Sequence, residues 1–220
     1  RDMGYLPDAI RNYLLRLGWS HGDDEIISTK QAIEWFGLDA IGKSPSSFDF
    51  NRLESLNGHY IVETSDDALI DPLVAAILRI VSDIDETTLR SRVLPLIGSL
   101  KNRAKNLNEL TKSALFVAIA PCYPLKNEKA AKLINSNSVV LLGEAYRALD
   151  EIVDSTLDAV KDRIRVLSEA RSLGLGKYAQ PLRAALTGSN ASPGIFEILA
   201  ALGKEESLRR IADVPNVNLT

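Results

Sequence analysis

The apolar residues of this chain recur at helical spacing almost from end to end, and no stretch alternates with the period of two that a half-buried strand requires. Leu89, Val93, Leu96, Ile97 and Leu100 fall at i, i+4, i+7, i+8 and i+11, one stripe along a helix. Leu110, Ala114, Val117 and Ala118 repeat the pattern and stop before Pro121 and Pro124. Pro7 opens a segment whose predicted inward face is Ile10, Tyr13, Leu14 and Leu17, ended by Gly18. A chain patterned in this way has to bury helix faces against helix faces, so the expected fold class is all-α. Its 220 residues, 45% of them hydrophobic, suffice for one or two packed cores.

Turn residues divide the chain into three parts. Residues 1 to 64 hold the Pro7 helix, a Gly-Lys-Ser-Pro loop at Gly42 to Pro45, and a helix from about Phe50 to Val62. Residues 65 to 122 form a helical set closed by prolines. Residues 123 to 220 form another, with turns at Gly174, Gly176, Gly188 and Gly203. The sharpest local signal lies near the C-terminus. Pro181 to Leu186 is a short helical run, and Thr187-Gly188 supplies a terminating glycine. Ser192-Pro193 then reads as an N-cap followed by proline at the first helical position, with Ile195, Ile198, Leu199 and Leu202 as the buried face. Such a helix start presents open backbone N–H groups to a phosphate or a base edge. On spacing alone an ordinary helical hairpin is the better reading.

Catalysis within the chain is not expected. The two histidines, His21 and His59, stand at no metal-ligand spacing with the single cysteine, Cys122, or with a carboxylate pair. His21 precedes Gly22-Asp23-Asp24 and reads as a surface turn. Gly174-Leu175-Gly176-Lys177 lacks the length, the Ser or Thr and the strand context of a phosphate loop. Cys122 is expected as a small buried hydrophobe, and Trp19, Trp35 and Phe36 as core. One cysteine permits no internal disulfide and suits a reducing, cytoplasmic setting. Apolar runs such as Ala114 to Ala120 fall well short of the roughly 20 residues of a membrane helix. The opening Arg1-Asp2-Met3-Gly4 has neither an initiator methionine nor a signal-peptide core, so a segment of a longer protein is expected.

The net charge of −3 hides a pattern. Acidic blocks stand at Glu63 to Asp71, at Asp83 to Glu86 and at Asp150 to Asp158. Two basic islands oppose them: Lys101, Arg103, Lys105 and Lys112 form one, and Lys161, Arg163, Arg165, Arg171, Lys177 and Arg183 the other. This distribution suits local docking on an anionic partner, although most charge runs are solvated helix faces.

Several segments together resemble the bacterial-type glutamyl-tRNA synthetases. Gly4-Tyr5-Leu6-Pro7-Asp8-Ala9-Ile10-Arg11-Asn12-Tyr13-Leu14 with Leu17-Gly18-Trp19-Ser20 is one anchor. Phe48-Asp49-Phe50 with Leu53 and Leu56-Asn57-Gly58-His59-Tyr60-Ile61 is the second. The third runs Pro181-Leu182-Arg183-Ala184-Ala185-Leu186-Thr187-Gly188, then Ser192-Pro193-Gly194-Ile195-Phe196-Glu197-Ile198-Leu199, and on to Ile211. The anchors span the chain in family order. The resemblance implies a class I enzyme that attaches glutamate to tRNA(Glu) using ATP and magnesium on a separate catalytic domain of the same polypeptide. The H-I-G-H and K-M-S-K-S type motifs of that domain are absent here, so the segment is expected to hold no cofactor and no catalytic residue of its own. It also implies a monomer, not associated with membranes, with a stem-contact region at 1–64 and two anticodon-binding helical bundles at 65–122 and 123–220.

The resemblance further implies site residues. Arg103 matches the arginine that senses the third anticodon base, where a guanidinium satisfies the acceptor edge of cytosine but meets donors on guanine. Arg183 matches an arginine at the first base, and Ile195 an apolar contact for it. Ser192 and Pro193 match the helix start that meets the middle base, with Arg165 as a further partner. Ser55 departs from the family, some members having tryptophan there. The rival reading is a helical protein-interaction domain that binds no RNA.

Overall fold

The structure, a computed structural model, describes residues 2–42, 46–152 and 157–219. Lys43 to Pro45 of the predicted loop, and Asp154 of the third acidic block, lie outside the described residues. The all-α expectation holds: among the described residues no strand forms, and the one β-type contact is a bridge between Trp19 and Ile41. In chain order the helices are α1 (Pro7–Gly18), α2 (Thr29–Trp35), α3 (Phe50–Glu63), α4 (Asp66–Leu78), α5 (Glu86–Val93) and α6 (Ile97–Lys101). They continue as α7 (Leu107–Ala114), α8 (Glu128–Ala131), α9 (Ser136–Asp150), α10 (Leu157–Ala170), α11 (Leu175–Thr187) and α12 (Ile195–Ala212), the last broken by a kink at Gly203, where the backbone is non-helical (φ +75°) and the sequence predicts a turn. The chain forms two compact units, one of Arg1–Ala76 with Gly98–Lys112, the other of Ile77–Ile97 with Ser113–Thr220.

In the first unit α1 packs on α3 around Tyr13, Leu53 and Leu56. Proline opens α1 where its missing N–H costs nothing. Asp49 caps α3, its carboxylate accepting from the N–H groups of Asn51 (2.8 Å) and Arg52 (3.3 Å). Ser28 and Gln31 form a reciprocal capping box on α2. Two buried asparagines knit the loops to this core. Asn57 accepts from the Leu6 N–H at 2.7 Å and donates to the Lys105 carbonyl at 2.5 Å. Asn12 donates to the Glu25 carbonyl at 2.9 Å and accepts from the Ile27 N–H and the Tyr60 hydroxyl. At Gly4 the backbone is left-handed (φ +76°), and a Cβ there would stand 2.8 Å from the Asn108 amide nitrogen, so only glycine fits.

In the second unit α9, α10, α11 and α12 pack on one another, and α5 with the short 3₁₀ turn Leu94–Leu96 packs on α12. The predicted face of α12 is buried throughout: Ile195, Ile198, Leu199 and Leu202. Burying side chains of this size stabilises by roughly 1.5–3 kcal/mol each before entropy is counted. Within this core lies a charge. Arg210 is fully buried, its Nε donating to Glu206 Oε1 (2.6 Å) and its Nη1 to the carbonyls of Phe116 (2.6 Å) and Leu186 (2.7 Å). Those carbonyls belong to the 3₁₀ turn Leu115–Val117 and to the last turn of α11, places where helix geometry leaves acceptors without an internal donor. Arg92 donates to the next carbonyl of the same 3₁₀ turn, Val117, at 2.9 Å.

Several expectations need correction. The stripe from Leu89 to Leu100 is buried as read, but Pro95 cannot donate a helical hydrogen bond, and a 3₁₀ turn at Leu94–Leu96 separates α5 from α6. The inward face of α1 is Ala9, Asn12 and Tyr13, whereas Leu14 is 53% exposed. Trp19 is buried, but Phe36 is half exposed and Trp35 stacks on the exposed His21 (ring centroids 4.3 Å apart) rather than entering the core. Cys122 is exposed. Gly176 lies inside α11, which begins at Leu175 and carries Pro181 within it.

Two outcomes follow from the buried arginine. Arg210→Ala strands two buried carbonyls and removes one of the two arginine partners of Glu206, and should lower stability by about 3–5 kcal/mol. Urea unfolding checks this, with the exposed Arg79→Ala expected within about 0.5 kcal/mol of the parent. Glu206 supplies the second. Burial raises its carboxyl, but hydrogen bonds and charge from Arg209 and Arg210 outweigh that and bring it from 4.5 to about 2. A carboxyl depressed in the folded state contributes stability that is fully present above about pH 4.5 and lost as pH falls through about 2. Urea midpoints between pH 5 and pH 2 should fall less steeply in Glu206→Gln than in the parent; parallel curves would sink the assignment.

Candidate nucleic-acid interface

In the second unit α11 ends on Gly188, whose left-handed backbone (φ +67°) turns the chain where a Cβ would meet Pro121 at 3.5 Å. The residues after it are tied down by their own side chains. Thr187 Oγ1 donates to the Arg183 carbonyl (2.8 Å) and accepts from the Ser189 N–H (3.2 Å). Ser189 Oγ donates to the Ala191 carbonyl (2.9 Å) and accepts from the Ala191 N–H (3.1 Å). Asn127 Nδ2 reaches Asn190 Oδ1 at 3.4 Å. The turn that leads into α12 is therefore held in one shape without help from regular structure.

The helix start differs from expectation by two residues. Gly194, not Ser192, is the capping residue, and α12 begins at Ile195. Glycine brings no side chain to the cap; instead the Glu197 carboxylate reaches back and accepts from the Gly194 N–H at 3.1 Å. Pro193 and Ile195 are buried, Ser192 is half-buried and Gly194 is exposed. Arg183, half-buried on α11, donates from Nη2 to the Pro193 carbonyl at 3.4 Å. Arg183, Ser192, Pro193 and Ile195 thus meet at one place: an arginine fork beside a helix start. Arg165 is an exposed residue of α10, outside this turn.

Arg103 belongs to the first unit. It is exposed on the turn between α6 and α7, where its N–H donates to the Leu100 carbonyl at 3.1 Å and the Ala104 N–H to the Lys101 carbonyl at 3.2 Å. Its neighbours in the basic island are partly neutralised within that unit: Lys101 pairs with Asp66 (2.9 Å) and Lys105 with Glu54 (3.3 Å). In the other island Lys161 pairs with Asp158 (3.5 Å), Arg163 with Glu151, and Arg171 with Glu144. Five of the ten basic residues in the two islands therefore answer carboxylates of their own unit.

Two features escaped the sequence reading. One is the Glu197 cap; a Glu three residues after a capping position is its signal, masked by Ser192, which is the more usual capping residue. The other joins α9 to α11: Tyr178 donates to Glu144 Oε2 at 2.7 Å and Arg171 to Oε1 of the same carboxylate. Burial raises the Tyr178 phenol and the hydrogen bond to Glu144 raises it further. The Glu144 carboxyl is raised by burial but held below its ordinary value by Tyr178 and Arg171 together. No periodicity or motif marks such a triad.

Residues 66–215 match the family described as the anticodon binding domain. The chain is 48% identical over 214 residues to glutamate–tRNA ligase 2 of Parvibaculum lavamentivorans, covering 97% of this chain and 43% of that protein. It is 50% identical over 214 residues to glutamate–tRNA ligase 2 of Paramagnetospirillum magneticum, covering 97% and 45%. A solved glutamate–tRNA ligase from Elizabethkingia meningosepticum superposes with a TM-score of 0.81 at 28% identity, over 98% of this chain and 42% of that one. The chain spans less than half the length of these relatives.

Proposed function

The chain belongs to the anticodon binding domain family, and we propose that it is the tRNA(Glu)-recognising part of a glutamate–tRNA ligase. The observation that carries this reading is the junction of α11 and α12. There an arginine fork and a helix start with an exposed glycine stand together in a turn held by its own side chains. Preorganised donors of this kind suit an unstacked base, whose polar edge they can meet without first being ordered. The names of the relatives support the choice of tRNA.

In this reading Arg183 and Ile195 meet the first anticodon base, and Ser192 and Pro193 meet the middle one with Arg165 beside them. Ile195 is only 5% exposed and Pro193 is buried, so their part is to hold the turn's shape while Gly194 and Ser192 offer surface. Arg103 reads the third base. Residues 1–64 touch the inner stem, and 65–122 and 123–220 serve as the two anticodon-binding parts. Glutamate, ATP and magnesium belong to the catalytic domain of the longer, cytoplasmic and monomeric protein. The described residues of this chain offer no cluster of three His, Cys, Asp or Glu side chains that could hold a metal ion. The rival protein-interaction domain is not favoured by the family match.

Filter binding of tRNA(Glu) by this chain at two salt concentrations tests the reading. Affinity should be measurable at low salt and fall steeply as salt rises; no binding at low salt would overturn it. Arg103→Ala should then lower the preference for cytosine over guanine at the third anticodon base by ~1–3 kcal/mol, measured with two tRNAs that differ only there. An equal loss for both tRNAs would reassign Arg103 to a phosphate.

A further inference from the structure

A groove of about 630 Å³ lies on the second unit, where the start of α9 comes beside the start of α11. Lys132, Arg171 and Lys177 line it together with the amides of Asn135, Asn137 and Gln180. None of its lining residues is acidic or aromatic, and the rest are small or aliphatic. In a chain with 29 carboxylates against 26 lysines and arginines, a groove of this size without one carboxylate is a local reversal of the charge balance. The comparable groove on the first unit, around Tyr13, Arg16 and Arg52, is different. It includes Glu25 and Asp49, and both of its arginines pair with Glu25, at 3.6 and 3.0 Å.

Resting on the tRNA reading, we propose that this groove binds the sugar–phosphate backbone of the RNA, without regard to sequence, apart from the base-reading turn at Ser192–Ile195. Glu144 already takes the charge of Arg171, so the net positive charge comes from Lys132 and Lys177, both exposed. Lysine ammonium groups act on phosphates as point charges that need no fixed geometry. Lys177 sits in the first turn of α11, whose capping residue, Gly174, contributes no side chain, so the positive end of a 13-residue helix adds to the lysine. With no aromatic side chain the groove lacks the commonest platform for capturing a single-stranded base. Amides and ammonium groups over an aliphatic floor are the equipment for phosphodiester contacts.

The test is a salt series of tRNA(Glu) binding by this chain and by Lys132→Gln/Lys177→Gln, with circular dichroism to show an unchanged fold. Removing two phosphate contacts should reduce the slope of log K against log salt by about 1.4–1.8. Affinity should fall by the same factor for tRNAs that differ at the third anticodon base. Lys132→Arg/Lys177→Arg should keep the parental slope, because it keeps both charges. Parental binding with an unchanged slope in the glutamine pair overturns the groove and leaves the tRNA reading standing; an equal loss of slope in the charge-keeping arginine pair also overturns it. Absence of parental binding overturns both.

Discussion

The second unit depends on a charge placed where charges are rarely tolerated. Arg210 is fully enclosed, and burial pushes its guanidinium down from the ordinary arginine range while Glu206 pushes it back. Three of its contacts make the burial sustainable: one carboxylate and two carbonyls that helix ends would otherwise leave without donors. A hydrophobic residue of similar volume could fill the space, but it could not donate to those carbonyls. The arginine is therefore less a source of net stability than a fixing pin, joining α12, the end of α11 and the Leu115–Val117 turn in one arrangement.

The pin stands next to the proposed reading head. Leu186, whose carbonyl it holds, is two residues before Gly188, where the chain turns, and three after Arg183, whose fork faces Pro193. Fixing the last turn of α11 fixes both the direction in which Arg183 projects and the point from which the 188–194 segment departs. Buried core and exposed turn are thus joined, the core fixing the turn's starting point and the side chains of Thr187 and Ser189 holding the turn itself.

Helical periodicity made the fold class legible, because a face that must be buried leaves its spacing in the sequence. Ile195, Ile198, Leu199 and Leu202 could be assigned to the core from spacing alone, and Gly188 to a helix end from its place after Thr187. What escaped reading depends on contacts between residues distant in sequence. Nothing local distinguishes Arg210 from Arg209, yet one is fully buried and the other half exposed. Leu14 and Phe36 look like core residues by type and are open to solvent, because burial is decided by what packs opposite. Ser192 satisfies the usual preference for a helix cap, whereas the observed cap rests on Glu197 reaching back to a glycine. The residues of the candidate site were legible only through family resemblance. The gathering of Arg183, Ser192, Pro193 and Ile195 at one turn is a property of the fold, and Arg165, on α10, and Arg103, in the other unit, are tied to them by that resemblance alone.

The Glu197 cap bears on how the two candidate surfaces of the second unit divide their work. A helix N-terminus favours anions, but at α12 a carboxylate already occupies that favourable position, on the Gly194 N–H. A phosphate brought to the same place would meet a like charge, whereas the neutral edge of a base would not. The start of α11 is the opposite case: its cap has no side chain, lysines stand near it and no carboxylate lines the groove. The two helix starts of this unit thus differ by a single carboxylate, one suited to uncharged acceptors and the other to phosphates. In the proposed reading this separation would let sequence-independent attraction bring RNA to the surface without masking discrimination at the turn, since a strong phosphate site at the reading head would bind every anticodon alike.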